Sequence, residues 1–123
     1  LIPANGWFEW EGIEKPKTPY FIKDKAHGLT AFAGLWDQWR VDEGIMLLSA
    51  TILTTPAIGP VKHLHHRMPV RLPEHKWEAW LDRDENPDRV LTHMKDGNDL
   101  EFYAVDRAVG SGRATGPELI KSM

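Results

Sequence analysis

Leu1-Ile2-Pro3-Ala4-Asn5-Gly6-Trp7-Phe8-Glu9-Trp10 sets one carboxylate inside an aromatic run, and the reading of that run decides the fold. In an extended strand successive side chains point to opposite faces, so Trp7 and Glu9 share one face while Phe8 and Trp10 line the other. An acid among three aromatic neighbours loses solvation, which disfavours its ionised form and suits it to proton transfer. A structural reading stands beside this one: Lys15 and Lys17 follow closely and can pair with Glu9 as an ion pair. Working outward, residues 11–18 are a charged, proline-containing connection and Pro19-Tyr20-Phe21-Ile22-Lys23 reads as a second short strand. The opening therefore predicts a β-hairpin.

Residues 29–40 (LTAFAGLWDQWR) are rich in small and aromatic side chains without helical spacing, and a turn at Val41-Asp42-Glu43-Gly44 follows. Residues 45–55 (IMLLSATILTT) then have the β-branched, largely apolar content of a strand buried on both faces. This second hairpin is expected to form the centre of the core. Pro56 and Pro60 bracket an irregular stretch whose proline density forbids a long helix. Val70-Arg71-Leu72 reads as a short strand, and residues 73–81 (PEHKWEAWL) as a helix with Pro in its first turn and Trp77, Trp80 and Leu81 on one core-facing stripe.

Beyond a polar connection, residues 89–95 (RVLTHMK) read as a short helix stopped near Gly97, and residues 99–105 alternate as a strand. Residues 108–123 are expected to be loop-like, with Leu119 and Ile120 docked. No internal repeat is visible. The expected fold class is α+β and β-dominated, with a strongly curved or barrel-like, mainly antiparallel sheet and one or two short helices.

A length of 123 residues suits a single domain, 1–123. The chain opens at Leu directly in an apolar segment, so it reads as the interior of a longer domain that is N-terminally incomplete. At 41% hydrophobic and 27% charged residues the composition is globular and argues against disorder. The tryptophans come in close pairs, Trp7/Trp10, Trp36/Trp39 and Trp77/Trp80, and such rings either fill cores or serve as stacking platforms. A formal net charge of −3 excludes a global basic signature, so any nucleic-acid binding requires a local patch. The absence of cysteine excludes disulfides, thiolate metal sites and thiol chemistry within these residues. No apolar run approaches membrane-spanning length and no signal peptide is visible, so no membrane partner is expected.

His63, His65, His66 and Arg67 form the one dense titratable cluster of the sequence. Three readings compete. His63 and His65 share a face if the segment is extended, as a metal site requires, but no third ligand stands at a telling spacing. A solvated surface loop is the second reading. The third is a catalytic or phosphate-binding loop, in which one His moves protons and the planar fork of Arg67 grips an anion.

Glu9 in its aromatic setting, followed by His65-His66-Arg67-Met68-Pro69-Val70, resembles the SOS-response-associated peptidase (SRAP) family. The resemblance is carried by Pro3-Ala4-Asn5-Gly6-Trp7-Phe8-Glu9-Trp10, Lys17-Thr18-Pro19-Tyr20, Ala33-Gly34-Leu35-Trp36, Thr51-Ile52-Leu53-Thr54-Thr55 and the His-Arg block, in the family's order. Gly116-Pro117-Glu118-Leu119-Ile120 is similar to its closing segment. The resemblance implies abasic-site processing in single-stranded DNA during the DNA-damage response. In the family an N-terminal cysteine, exposed by self-cleavage, traps the ring-opened deoxyribose aldehyde as a thiazolidine, a covalent protein–DNA linkage that invites peptidase, hydrolase and lyase labels.

By the same resemblance Glu9 and His65 match the active-site pair, Arg67 a phosphate-gripping arginine, Thr54 a hydroxyl that orients His65 or the sugar, and Trp10 an aromatic that supports the site or stacks beside the lesion. No metal and no cofactor is implied. The pattern is broken in one decisive place, since the chain has no cysteine and lacks the family's upstream Asn-Ala-Arg segment. His66 also stands where the family often places an acidic or amide residue. The alternative reading is a non-catalytic single-stranded DNA binding module. A setting in the bacterial cytoplasm at the nucleoid, or in a eukaryotic nucleus, follows from the resemblance, as does self-association through sheet edges left open.

Overall fold

The computed structural model describes every residue except His27, His93 and Lys95. The opening run is two strands rather than one, β1 (Ile2–Ala4) and β2 (Trp7–Glu11), and they join different sheets. β1 pairs antiparallel with β4 (Thr30–Phe32), whereas β2 pairs with β3 (Thr18–Asp24) and β3 with β9 (Leu100–Ala104). The break falls at Asn5-Gly6 because the chain there crosses close to β3. A Cβ on Gly6 would lie 2.2 Å from the Ile22 carbonyl oxygen and 2.6 Å from the Phe21 ring, so glycine is the residue that fits. Asn5 tethers the crossing by donating Nδ2 to the Gly28 carbonyl at 2.7 Å.

The register of the β2-β3-β9 sheet gives it two unlike faces. Trp7, Glu9, Tyr20, Ile22, Leu100 and Phe102 share one face, and its inner part packs on Ala57, Val61, Leu64 and Met68. Phe8, Trp10, Phe21 and Tyr103 share the other, where the Phe21 ring lies between Phe8 and Tyr103 at centroid distances of 5.2 and 6.0 Å. The hairpin and the final strand thus stand where the alternation of the sequence places them. The tail docks on β9: the Tyr103 hydroxyl donates to the Ile120 carbonyl at 2.7 Å, and the Met123 amide to the Ala104 carbonyl at 3.1 Å.

A second apolar cluster is built from Ala33, Val70, Leu72 and Val90 under the helices α1 (Trp77–Leu81) and α2 (Pro87–Val90). Trp77 and Trp80 pack on it, and their indole N–H groups donate to the carbonyls of Leu72 (2.8 Å) and Gly34 (3.3 Å). Leu81 departs from the expected stripe and is 62% exposed, because α1 is five residues long and ends on it. The helix expected over 89–95 starts earlier, where Asn86 accepts from the Asp88 amide and Pro87 occupies the first turn. It ends at Val90, and His93 and Lys95 lie outside the described residues.

The strand expected at 70–72 is displaced to β8 (Arg67–Pro69), which pairs with β7 (Thr54–Pro56). Residues 70–72 pair with residues 31–33 only through one isolated antiparallel bridge, Arg71 opposite Phe32, made by Ala33 N to Val70 and Leu72 N to Ala31, while Val70 N turns to Leu53, so no longer ladder forms. Arg71 is buried there, bidentate on Asp99 at 3.0 and 2.7 Å and 3.7 Å from Asp24.

The largest correction concerns the second hairpin. β5 (Gly34–Asp42) and β6 (Ile45–Ile52) pair as the expected hairpin across the Glu43-Gly44 turn, with a bulge between Arg40 and Asp42. They do not form the centre of the core: every residue from Leu35 to Ile52 is exposed. Strand content was legible from β-branched and aromatic composition, whereas burial depends on what lies against the strands, and none of the described residues covers this ribbon. The architecture remains a β-dominated α+β fold of small, open antiparallel sheets with few short helices. No helix among the described residues is long and apolar enough to cross a membrane.

Candidate functional site

Glu9 sits on β2, directly across from Tyr20 on β3, with its side chain half-buried on the face that leads into the core. Burial pushes its carboxyl above the ordinary value of 4.5. The charge of His65, a hydrogen bond from the Trp10 backbone amide and the charge of His66 pull the other way without cancelling the loss of solvation. Among the described residues neither Lys15 nor Lys17 forms an ion pair with Glu9, so the structural reading of this acid has no partner there.

His65 and His66 end the loop between β7 and β8. The loop is held by a 3-10 turn at Gly59–His63 with Pro60 in its first turn and Val61 fully buried. The Val61 carbonyl accepts from the amides of Leu64 and His65, and the Ala57 amide donates to His66 at 2.9 Å, so the backbone under both imidazoles is anchored. His65 Nδ1 lies 3.0 Å from both the amide nitrogen and the carbonyl oxygen of Arg67. A neutral His65 with its proton on Nε2 accepts at Nδ1 from the Arg67 amide, and one with its proton on Nδ1 donates to the Arg67 carbonyl. A protonated ring likewise donates Nδ1–H to the carbonyl. The ring is thus held in place in either charge state, as a proton carrier must be. His66 stacks on it, with centroids 4.5 Å apart and planes inclined by 29°.

Arg67 opens β8 and is held from the side by Thr54. Its Nε and Nη2 donate to Thr54 Oγ1 at 3.3 and 3.0 Å, and Nη2 also to the Thr54 carbonyl at 2.9 Å. The Thr54 hydroxyl therefore accepts from Arg67, and its own proton is available to a further acceptor. One edge of the guanidinium is committed and the other is left for an anion. Trp10 is 37% exposed, and its side chain leaves the sheet on the face opposite Glu9; its backbone amide is what reaches the Glu9 carboxyl.

The loop brings Glu9 and His65 into electrostatic contact, and β7–β8 pairing brings Thr54 to Arg67. Sequence reasoning missed the stacking role of His66 and the position of Tyr20, whose hydroxyl donates to Glu11 at 3.1 Å. The hairpin register, counted back from the turn, places Tyr20 opposite Glu9 and was the available signal. Thr54 also borders a cavity of about 220 Å³ lined by Ile58, Met68, Leu91 and Met94. Among the described residues no group of three or more His, Asp or Glu can hold a metal ion.

Fold and site together define a β-rich protein that presents a desolvated acid, a backbone-held imidazole and a hydroxyl-held guanidinium. The profile of the family described as SOS response associated peptidase (SRAP) matches residues 1–112, and the chain belongs to that family. It is 37% identical over 126 residues to the abasic site processing protein YoqW of Bacillus subtilis, a match covering 99% of this chain and 56% of the relative. It is 35% identical to the abasic site processing protein YMR114C of Saccharomyces cerevisiae (99% of this chain, 34% of the relative) and 30% identical to abasic site processing protein HMCES of Gallus gallus (98% and 42%). The chain thus spans about half or less of the length of these relatives. A crystal structure of a Bacteroides thetaiotaomicron protein superposes with a TM-score of 0.86 over 98% of this chain and 55% of that one, at 24% identity, and shares its fold.

Proposed function

We propose that this chain carries the lesion-recognition surface of an abasic-site processing protein that acts on single-stranded DNA. The observation that supports it most is the Glu9–His65 pair, an acid whose carboxyl burial pushes above its ordinary value, beside an imidazole whose orientation survives a change of charge. Arg67, braced by Thr54, binds a backbone phosphate next to the lesion, and Trp10 offers an exposed ring at the far side of the strand for stacking.

In the complete reaction an α-amine adds to the aldehyde carbon of the ring-opened deoxyribose. Glu9 gives its proton to the carbinol oxygen, which leaves as water, and the imine is closed by a thiol into a thiazolidine. His65 donates a proton to the sugar ring oxygen during opening. These 123 residues contain no cysteine, so the thiol comes from outside them. N-terminal self-cleavage that exposes such a cysteine belongs to the same proposal, as does action at the bacterial nucleoid or in a nucleus.

The lack of a thiol favours a second reading, a single-stranded DNA binding module without its own nucleophile. Incubation with labelled single-stranded DNA carrying one abasic site, split between native and denaturing gels, separates the two. A shift on both gels supports covalent chemistry, a shift on the native gel alone the binding module, and no shift on either counts against both. Self-association through open sheet edges is a competing fate of the exposed ribbon.

A further inference from the structure

We infer that Tyr20 and Glu11 are a positioning pair for the Glu9 carboxyl: the Tyr20 ring closes the outward side of that carboxyl, and Glu11 holds the ring there through its hydroxyl. The inference deepens the function proposed above and rests on it, since a wall beside Glu9 serves the chemistry only if Glu9 carries a proton there.

Trp7, Glu9 and Glu11 share one face of β2, which runs from the core at Trp7 to open water at Glu11. Within the sheet the residue directly opposite Glu9 is Tyr20, with Ile22 facing Trp7 and Thr18 facing Glu11. Directly opposed side chains start about 4.5–5.5 Å apart at Cβ, and a long side chain also reaches its diagonal neighbour. Tyr20 uses the diagonal. Its hydroxyl donates to Glu11 Oε2 at 3.1 Å, so the ring leans past Glu9 toward the exposed end of β2 rather than back toward Trp7.

The ring is held from further sides as well. Phe102 meets it edge to face, with centroids 5.7 Å apart and planes inclined by 74°. It also packs on the cluster that contains Leu64 and Met68, the residues on either side of His65-His66-Arg67. Tyr20 thus joins the strand that carries Glu9 to the base of the loop that carries His65. A phenylalanine would make the same ring contacts, so what the hydroxyl adds is the anchor. The hydrogen bond to Glu11 holds the phenol above the ordinary value of 10, with burial and the charge of Glu11 adding to it, so the donor keeps its proton wherever Glu9 titrates.

The test is carbon-13 NMR titration of the Glu9 carboxyl in this chain, without DNA. Tyr20→Ala removes the wall, and the Glu9 titration is expected to fall back toward 4.5. Tyr20→Phe and Glu11→Ala each free the ring and should lower it by a smaller and equal amount. Combined, they should lower it no further, because both remove the same bond. Glu11→Gln discharges the carboxylate but keeps an oxygen that accepts, so the titration stays as in wild type. Phe8→Ala, on the opposite face, loosens the sheet through Phe21 and should also leave it unchanged. A Glu9 titration unmoved by Tyr20→Phe and Glu11→Ala overturns the inference, as does an equal fall in Glu11→Gln or in Phe8→Ala. The hydroxyl contact is at the surface, so the two deciding variants keep the core intact. The titration is read without DNA and the gel shift without the titration, so failure of this inference and failure of the proposed function are told apart.

Discussion

Arg67 and Thr54, thirteen residues apart, are locked side by side: the guanidinium donates to the threonine hydroxyl at 3.0 and 3.3 Å and to its carbonyl at 2.9 Å. Removing the brace leaves the charge but frees its direction. Thr54→Val is expected to weaken binding to single-stranded DNA several-fold with the salt dependence unchanged. Arg67→Ala weakens binding uniformly across sequences and lowers the slope of log affinity against log salt by about 0.7, the share of one single-strand phosphate contact. Fluorescence anisotropy at three salt concentrations distinguishes the two. Equal slopes for wild type and Arg67→Ala would remove the phosphate contact from the site.

Glu9 has a stability signature of its own. Its folded pKa is raised, so the unfolded chain releases this proton near 4.5 while the folded chain still holds it. The folded state binds more protons in that window, and stability falls as pH rises. The contribution is complete below about 4.5 and lost once pH passes the raised folded value. Glu9→Gln removes the titration. Subtracting its urea-unfolding free energies from those of wild type between pH 4 and pH 7 should give a curve that falls with pH. A flat difference curve would mean that Glu9 is solvated as an ordinary surface acid.

The backbone beneath this pair was partly legible in sequence. Alternation through Trp7, Phe8, Glu9 and Trp10 gave the faces of β2, because the side-chain period of a strand is local. The bond between Arg67 and Thr54 was not legible, since it depends on the long-range pairing of β7 with β8. The Asn86 cap and Pro87 were a readable helix start that the apolar pattern of residues 89–95 obscured. The ribbon shows the opposite failure. Its sequence sets large apolar side chains on both faces, and burial does not follow, because burial is a property of the neighbours.

His66 is expected to act on His65 through its ring rather than through direct contact with DNA. The stack at 4.5 Å restricts rotation of the His65 imidazole, whose Nδ1 is already held by Arg67. His66→Phe preserves a flat face and should leave the tautomer balance of neutral His65 as in wild type in nitrogen-15 NMR spectra. His66→Ala should change that balance and cost about 0.5–1.5 kcal/mol, the usual worth of a ring pair. Identical spectra for the two variants would show that the Arg67 backbone suffices.

Arg71 is buried with both Asp24 and Asp99 beside it, and this ion triad joins β3, the chain after β8 and the start of β9. Arg71→Met keeps much of the volume but takes the guanidinium from two carboxylates. The expected loss is about 3–5 kcal/mol, as for other broken buried pairs, seen as a lowered urea midpoint. A loss under about 1 kcal/mol would place the triad with surface ion pairs.

Gly6 couples the fold to the site most directly. Its missing side chain lets the chain cross β3 between β1 and β2, and a methyl group there would meet the Ile22 carbonyl oxygen at 2.2 Å and the Phe21 ring at 2.6 Å. Backbone cannot step aside as a flexible side chain does, so Gly6→Ala must push β2 outward, along with the carboxyl three residues further on. The expected cost is about 1–3 kcal/mol, the range for overpacking a tight interior. The displacement also hydrates Glu9, so its pKa falls back toward 4.5. Carbon-13 NMR titration of the Glu9 carboxyl in Gly6→Ala, under conditions where the variant remains folded, reads the second effect separately from the first. If stability falls while the Glu9 titration stays raised, the crossing supports the sheet without positioning the acid. If both move together, the glycine is part of how the site keeps its carboxyl out of water.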